Sequence, residues 1–585
     1  GCTRGCRFCQ PGMLTRPARD VDPDAVVETV LTGLQATGFN EFSLLSLSCS
    51  DYLSLPAVGV QLHNALAADT VSLSLPSQRV DRFNDELAGI IGGARKPSLT
   101  FAPEAGTQRL RDVINKGLTN ADLLNGIKTA HEHGWDMVKL YFMIGLPTET
   151  DEDVLGIAET IGWLQRECRA QGRRRFEVHV TISNFTPKPH TPFQWHTVTA
   201  AELRHKHNLL KTAFRRLKGV KINFTDIRVS ALEDVLTRAG RDMSRAILRV
   251  WELGVARHDP WFAPDAFFGL WDQVLGEFDY SWDVVGPPID SPLPWDFIDT
   301  GIEKQWLVDD YAKALAEAIV PDCSFDSCSH CGICGEDFGA NVVLAPRAVP
   351  QLETPSGPPV QPKQRLRVVF AKRSEMRFIG HLDLQRLWER ACRRASLVLA
   401  YSNGFHPMPR ISTATALALG MESDGEIVDF ELAEPVPVAD FRARLQSQLP
   451  HGVDLCQVEE IPLKSPAAAQ ALVAAEYRIT LQASQVTDWH SALKTVLASE
   501  SLPVERTSKK SGKTHTLDCR SWLFELELLE VGETEATFQY AGACRNDGTV
   551  LRPDDLVQVF QAATAQEVSL ANVYRLGLRL ATLCE

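Results

Sequence analysis

Three cysteines within the first ten residues constrain this chain more than any other feature. In Gly1-Cys-Thr-Arg-Gly-Cys-Arg-Phe-Cys-Gln10, Cys2, Cys6 and Cys9 form a C-x3-C-x2-C array, with Phe8 just before the third cysteine. Three thiolates so close on one loop can hold three irons of a cubane and leave the fourth iron without a protein ligand; soft thiolates suit iron–sulfur clusters. The plainer alternative is a zinc site or a local cysteine cluster. A second group, Cys323, Cys328, Cys331 and Cys334, has the spacing C-x4-C-x2-C-x2-C and is a complete tetrathiolate set. It suits a further iron–sulfur cluster or a structural zinc. Seven of the 14 cysteines fall in these two groups. With no signal peptide in view, that points to metal ligation in a reducing cytoplasm rather than to disulfides. No apolar run approaches the roughly 20 residues a bilayer span needs, so no membrane partner is expected. The net charge of −14 argues against a protein that coats nucleic acid.

The 585 residues allow three or four domains. Over residues 1–225, short apolar strands alternate with helical periodicity. Strands are expected at Glu41–Leu47, Thr70–Leu75, Ser98–Phe101, Met137–Ile144 and Phe176–Ile182. Helices are expected from Pro23 to Gly38 and at Leu53–Leu66, Asp81–Ile91, Ala121–His133, Asp151–Arg169 and Ala201–Leu217. Such alternation gives an α/β domain with a parallel sheet. A cysteine loop of this kind should follow a buried strand, so the sequence reads as lacking its N-terminal segment.

The array, with an aromatic before its last cysteine, resembles that of the radical S-adenosylmethionine (SAM) enzymes. That resemblance implies a [4Fe-4S] cluster on Cys2, Cys6 and Cys9, with SAM chelating the open iron and cleaved to a 5′-deoxyadenosyl radical. It also implies a partial (βα)6 barrel with its chemistry at the C-terminal strand ends. Ser46 and Ser48, in Leu45-Ser-Leu-Ser-Cys-Ser50, stand where the superfamily often has Gly-Gly-Glu near the SAM amino group. The segment Phe101-Ala-Pro-Glu-Ala-Gly-Thr-Gln-Arg-Leu-Arg111 resembles methylthiotransferase-like members. There Glu104 would meet the ribose, and Arg109 or Arg111 the carboxylate. Tyr141-Phe-Met-Ile-Gly-Leu-Pro147 resembles the strand beside adenine, with Gly145 and Pro147 in its motif and Tyr141 in place of its first glycine. Asn184–Pro192 resembles the proline-rich loop that closes over SAM. Each segment also has a plainer reading: a strand-to-helix turn at Gly145–Pro147, a carboxylate at a helix start for Glu104, and a solvated helix face for the two arginines.

Residues 226–335 read as a helical, aromatic-rich region ending in the four-cysteine group, with the aromatics between Trp261 and Trp282 expected in a core. Residues 336–364 read as a proline-rich linker, and 365–585 as an α+β domain, ferredoxin-like in outline. Residues 365–420 carry ten Arg or Lys against three Asp or Glu. With Arg506, Lys509, Lys510 and Lys513, and with Tyr401, Phe405 and His406 for stacking, this reads either as an RNA surface or as a solvated one.

Several segments together resemble one group across the whole chain: Gln10-Pro-Gly-Met13, Arg16-Pro17, the Phe101–Arg111 stretch, Asp322–Cys334 and Gly404–Arg410. The group is the uncharacterised cobalamin-binding radical SAM proteins fused to a radical-SAM-linked domain. The resemblance implies cobalamin on a preceding domain, a reducing partner such as flavodoxin or ferredoxin, and a methyltransferase or methylthiotransferase-like reaction. The substrate would be an RNA, a ribosome-associated molecule or a protein. The competing reading is a non-catalytic RNA-binding or assembly factor with structural metal sites.

Overall fold

The computed structural model describes every residue except 67–70, 76–77, 92–97, 170–174, 354–358, 405–406, 508–511 and 582–585. Phe405, His406, Lys509 and Lys510 of the basic-surface reading lie outside the described residues. The chain divides into two compact units, one dominated by residues 1–354 and the other by 355–585. Residues 226–335 fall within the first.

In the first unit the cysteine loop runs into α1 (Gln10–Leu14), followed by α2 (Pro23–Thr37), β1 (Glu41–Ser43), α3 (Leu55–Leu66) and β2 (Ser72–Ser74). Then come α4 (Asp85–Ile90), β3 (Leu99–Glu104), α5 (Gln108–Val113), α6 (Asn120–Glu132), β4 (Met137–Ile144), α7 (Asp151–Arg169) and β5 (Glu177–Asn184). The run continues with α8 (Ala200–Phe214), β6 (Val220–Phe224), α9 (Ile227–Arg238), α10 (Met243–Glu252), α11 (Pro264–Glu277) and α12 (Lys304–Leu315). β1 pairs with β2 in parallel, and β3-β4-β5-β6 form a separate four-stranded parallel sheet. An isolated parallel bridge joins Gln78 to Phe101. The parallel α/β arrangement matches expectation, but two strands are shorter than their apolar runs, and β6 was not anticipated.

The period-two pattern of the strands sets the faces. Val138, Leu140, Phe142 and Ile144 of β4 share a core with Val178, Val180 and Ile182 of β5 and with Ile157, Ile161 and Leu164 of α7. Lys139, Tyr141 and Met143 alternate with them and point to the opposite face. α7 begins with Asp151, Glu152 and Asp153, carboxylates that suit the positive end of a helix dipole. Gly106 allows the turn after β3 to press on this helix: a Cβ there would lie 2.3 Å from the Ile157 nitrogen.

The expected aromatic core is only partly one. Phe268 and Trp271 are buried, with Phe267, Phe278, Tyr280 and Trp282 packed around them. Trp261 and Phe262 instead project into solvent, 65% and 91% exposed. The Asp259 carboxylate accepts from both of their backbone N–H groups, which fixes the turn that carries them.

The second unit contains β7 (Gln364–Lys372), α13 (His381–Arg394), β8 (Ile411–Thr413), β9 (Glu422–Leu432), α14 (Val438–Gln446) and β10 (Val453–Ile461). Next are α15 (Ala468–Ala471), β11 (Leu472–Ala483), α16 (Trp489–Ala498) and the hairpin β12 (Pro503–Thr507) and β13 (Thr514–Asp518). β14 (Leu523–Val531), β15 (Glu535–Ala543), α17 (Pro553–Thr564) and β16 (Val568–Leu580) complete it. The sheet order β10-β7-β9-β16-β11-β15-β14, with β8 on β9, resolves into two βαββαβ repeats. Each runs fourth, first, third, second strand, with antiparallel neighbours throughout: β10-β7-β9-β8 and β16-β11-β15-β14. That is the ferredoxin-like connectivity, used twice.

Part of the basic stretch of this unit is paired internally. Arg365 and Arg367 both bond Asp429, at 2.6 and 2.8 Å. Arg373 pairs with Asp424 and Arg410 with Glu431, and Lys372 donates to the Ile379 carbonyl. Burial raises the Asp429 carboxyl, but the two guanidinium groups outweigh it and hold the group below its ordinary value. Removing a buried carboxylate strands its cationic partners at a cost of about 3–5 kcal/mol. Asp429→Ala is therefore expected to lower hydrogen-exchange protection of β7 and β9 by that amount in the full chain. Unchanged protection would show that the triad contributes nothing to the stability of the sheet.

Candidate active site

The cysteine loop is held from beneath by a buried guanidinium. Arg7 is fully buried. Its Nε and Nη2 donate to Asp310 of α12, at 3.2 and 3.0 Å. Nη1 donates to the carbonyls of Asp112 and Val113, and Nη2 also to that of Ala318 at 2.7 Å. Asn115, in the left-handed region at φ 51°, spans the same gap. Its amide donates to the carbonyls of Arg4, Gly5 and Val320, and its oxygen accepts from the Val320 N–H. Above these, Thr3 donates to Asp322 at 2.5 Å, and Arg4 bonds Asp322 and Asp51. The loop is thus tied to the segment that carries the second cysteine group.

Cys2, Cys6 and Cys9 are free thiols, each half-buried. Burial pushes the Cys9 thiol up to about 11, and charge on Cys6 and Cys2 pushes the same way, against Lys116. Cys2 is raised for the same reasons, with Asp51 and Asp322 adding to the effect of Cys6. The three sulfurs therefore lie within one another's electrostatic reach. As the side chains stand, no group of three His, Cys, Asp or Glu among the described residues is gathered to hold a metal ion. The donor chemistry fits a thiolate-held cluster, and binding would require these side chains to turn toward a common point.

A cleft of about 240 Å³ opens beside the loop, lined among others by Cys2, Ser46, Ser48, Asp51, Tyr52 and Phe325. Ser48 donates to Asp51. Glu104 ends β3 at φ 69°, an unusual conformation for a residue with a side chain. Its carboxylate takes a 3.0 Å bond from Lys116, whose ammonium lies 5.9 Å from the centre of the Phe8 ring. The structure thus places Ser46 and Ser48 with Cys2, and Glu104 with the Phe8–Cys9 side of the loop.

The remaining expected residues serve the frame around them. Arg111 is buried and donates to the carbonyls of Ala105 and Gly106, fixing the turn after Glu104. Arg109 is taken up by Asp153, Thr148 and Glu317. Gly145, at φ 87°, gives its N–H to Glu149 at 2.7 Å, and Pro147 is buried beside it. Glu149 is itself buried and pairs with Lys206 at 2.7 Å; burial dominates and raises its carboxyl all the same. Gln10 donates to the Pro189 carbonyl, bringing the proline-rich loop against the cysteine loop.

In the second group, Cys323 Sγ lies 3.4 Å from the Asn341 amide and Cys328 Sγ accepts the His330 N–H at 3.3 Å. Cys331 packs with Met13, Trp306 and Ile333. Burial raises the Cys331 thiol, but the Ile333 N–H and the Arg16 guanidinium outweigh it and leave the thiol below its ordinary value. Arg7, Asp310, Asp51 and Asp322 went unnoticed in the sequence. The one available signal was a charged residue, Arg7, set between two cysteines of a tight loop.

Residues 1–161 match the family model of the radical SAM superfamily. The chain carries a radical SAM domain. Residues 365–553 match the family described as an uncharacterized protein conserved in bacteria, DUF2344. An uncharacterized protein of Methanocaldococcus jannaschii is 31% identical over 247 residues, covering 42% of this chain and 52% of the relative. The chain thus spans about half the length of the curated relative it matches. Among solved structures, a Cbf5–Nop10–Gar1 complex is similar at 9% identity over 36% of this chain and 47% of that one, with a TM-score of 0.22. Lysine/ornithine decarboxylase complexed with cadaverine from Vibrio vulnificus is similar at 15% identity over 37% and 58%, with a TM-score of 0.17. At such scores neither bears on the architecture. Among the described residues no helix is long and apolar enough to cross a membrane.

Two outcomes follow for the first unit. Arg7→Met leaves Asp310 buried without its cation and is expected to cost about 3–5 kcal/mol. It should lower the melting temperature and speed alkylation of Cys2, Cys6 and Cys9. Unchanged alkylation would show that the guanidinium does not hold the loop. The second outcome concerns His196, whose ring bonds the Gly145 carbonyl and is pushed down to about 4, chiefly by burial. Its folded value lies below the ordinary 6.5, so the unfolded chain binds more protons between the two. The stability it protects is whole above pH 6.5 and is lost as pH falls toward 4, to a total of about 3 kcal/mol. His196→Gln should flatten the fall in urea midpoint between pH 7 and 4.5; an equal fall in both proteins would exclude this linkage.

Proposed function

We propose that this protein is an iron–sulfur enzyme that binds SAM and cleaves it reductively. The observation that carries the reading is the Cys2–Cys6–Cys9 loop, anchored by Arg7 and Asn115 beside a cleft, within the residues that match the radical SAM superfamily. Cys2, Cys6 and Cys9 would hold a [4Fe-4S] cluster. Bound there, the cluster would supply the electron for reductive cleavage of SAM to methionine and a 5′-deoxyadenosyl radical.

The chain's own residues do the positioning. Ser46 and Ser48, beside Cys2, receive the methionyl end of SAM. Glu104 accepts from the ribose hydroxyls, with Lys116 holding its carboxylate. Arg111 fixes the turn after Glu104, and Gly145 and Pro147 border the adenine. Arg109 contributes to the carboxylate only by leaving Asp153. The Pro189 loop, bonded to Gln10, keeps water and stray hydrogen donors out. Cys323, Cys328, Cys331 and Cys334 form a second metal site, iron–sulfur or zinc, and a small reducing protein of the flavodoxin or ferredoxin class delivers electrons.

In this proposal the strands belong to a partial (βα)6 barrel of a cytoplasmic protein. The reaction is a methyl or related group transfer to an unactivated carbon, with cobalamin supplied by another domain. RNA recognition by the second unit finds no support, because Arg365, Arg367, Arg373 and Arg410 are engaged by carboxylates.

The test is anaerobic iron–sulfur reconstitution followed by reduction with dithionite in the presence of SAM. Iron, zinc and 5′-deoxyadenosine are measured on one sample. The expected result is about eight irons, or about four with one zinc, and 5′-deoxyadenosine that Cys9→Ala abolishes. Iron loading and 5′-deoxyadenosine formation that Cys9→Ala leaves intact would refute the reading.

A further inference from the structure

Parallel sheets are normally covered on both faces. In β3–β6 one face is packed by helices, while the other presents Lys139, Tyr141 and Met143 of β4, His179, Thr181 and Ser183 of β5, and Lys221 and Asn223 of β6. Tyr141 is 44% exposed at the middle of this face. Strand register puts three of these residues side by side: Lys139 is the partner of His179, and His179 of Lys221. With strands about 4.8 Å apart, the row spans about 10 Å.

All three side chains are half-buried or exposed, and no hydrogen bond or ion pair engages them among the described residues. The nearest carboxylate on the same face of the same strand is Glu177, and it pairs with Arg175 at 3.2 Å. Arg7, Arg109 and Lys206 of the same unit are, by contrast, each paired with a carboxylate. An unpaired row of this kind in a chain of net charge −14 concentrates anions locally.

We propose that Lys139, His179 and Lys221 bind the phosphate groups of the substrate. Lysine ammonium groups take phosphate as point charges. A row about 10 Å long exceeds what one carboxylate can bridge and fits a diphosphate or successive phosphate groups. From Lys139 the strand runs five residues to Ile144, about 17 Å at about 3.3 Å per residue, and its C-terminal end lies on the side of the cysteine loop. The substrate class is therefore a phosphate ester of nucleotide size or longer, with its phosphate end on this row and its reacting carbon toward the strand ends. The position of the reacting carbon rests on the radical SAM reading; anion binding on the row does not.

The test uses inorganic pyrophosphate titrated into the full chain, followed by calorimetry or ³¹P line broadening, with no cluster required. Lys139→Gln/Lys221→Gln should weaken pyrophosphate binding by at least about tenfold, while Lys139→Arg/Lys221→Arg keeps most of it and the melting temperature holds in both. Arg204→Gln/Lys211→Gln, a cation pair on α8, should leave it unchanged. No measurable binding to the wild type, equal affinity in the Gln variant, or an equal loss in the α8 variant would overturn the assignment. Should the wild type bind pyrophosphate yet never form 5′-deoxyadenosine, the radical SAM reading falls and this site stands.

Discussion

Arg7 is the constraint on which the cysteine loop depends. A guanidinium has five N–H donors in a rigid fork, and here every one is used: two bonds to Asp310 and three to the carbonyls of Asp112, Val113 and Ala318. Burying a cation without such a set would cost far more than packing returns. The arrangement is only possible if α5, α12 and the chain after α12 meet beneath the loop. The same requirement therefore fixes where the second cysteine group begins, because Ala318 lies just ahead of Val320 and Asp322. Asn115 closes the set from the other side with bonds to both segments. The two groups of cysteines, far apart in sequence, are thus products of one buried polar network.

A loop so anchored leaves its sulfurs on a rigid base with freedom only at the side chains. This matters for the cluster site proposed on this loop. The backbone is pre-organised, while burial and neighbouring charge raise the Cys2 and Cys9 thiols above their ordinary value. Glu104 follows the same logic at the end of β3. Its left-handed backbone is held because Arg111 grips the next two carbonyls and because Gly106 lets the turn lie directly on α7. Strain at that residue is offset by bonds the turn could not otherwise make.

Legibility in the sequence followed the range of the interaction. β4 and α7 were readable to the residue, since period-two and period-3.6 patterns are local and their ends are marked by Gly145 and Asp151. β1 was overextended because Leu44, Leu45 and Leu47 continue an apolar run, although the chain leaves the sheet after Ser43. β6 was missed because Val220-Lys-Ile-Asn-Phe224 alternates too briefly to stand out. The cysteines were legible as chemistry. Their supports were not, because Asp310, Asp322 and Asn115 become meaningful only through partners a hundred or more residues away. The pairing within the basic stretch was hidden for the same reason: charge counts along a chain do not reveal Asp429 lying opposite Arg365 and Arg367.

The duplicated second unit shows how two marginal sheets become one. Each βαββαβ repeat alone would expose edge strands with unpaired N–H and C=O groups. Here β16, an edge of the second repeat, joins β9 of the first through the Tyr574–Glu422 and Arg575–Ser423 pairs. The approach requires glycine at 425: a Cβ there would stand 2.7 Å from the Gly577 Cα, whereas one on Gly577 would stay 3.8 Å from Gly425. Arg575 then crosses the seam to Glu426 at 3.1 Å and to the Tyr477 hydroxyl, all three buried. Breaking either end would leave a charge with no solvent to receive it. The seam is therefore cooperative, and the repeats are expected to unfold together rather than in turn. A unit held this way is a stiff platform in which several arginines already serve as internal partners of carboxylates.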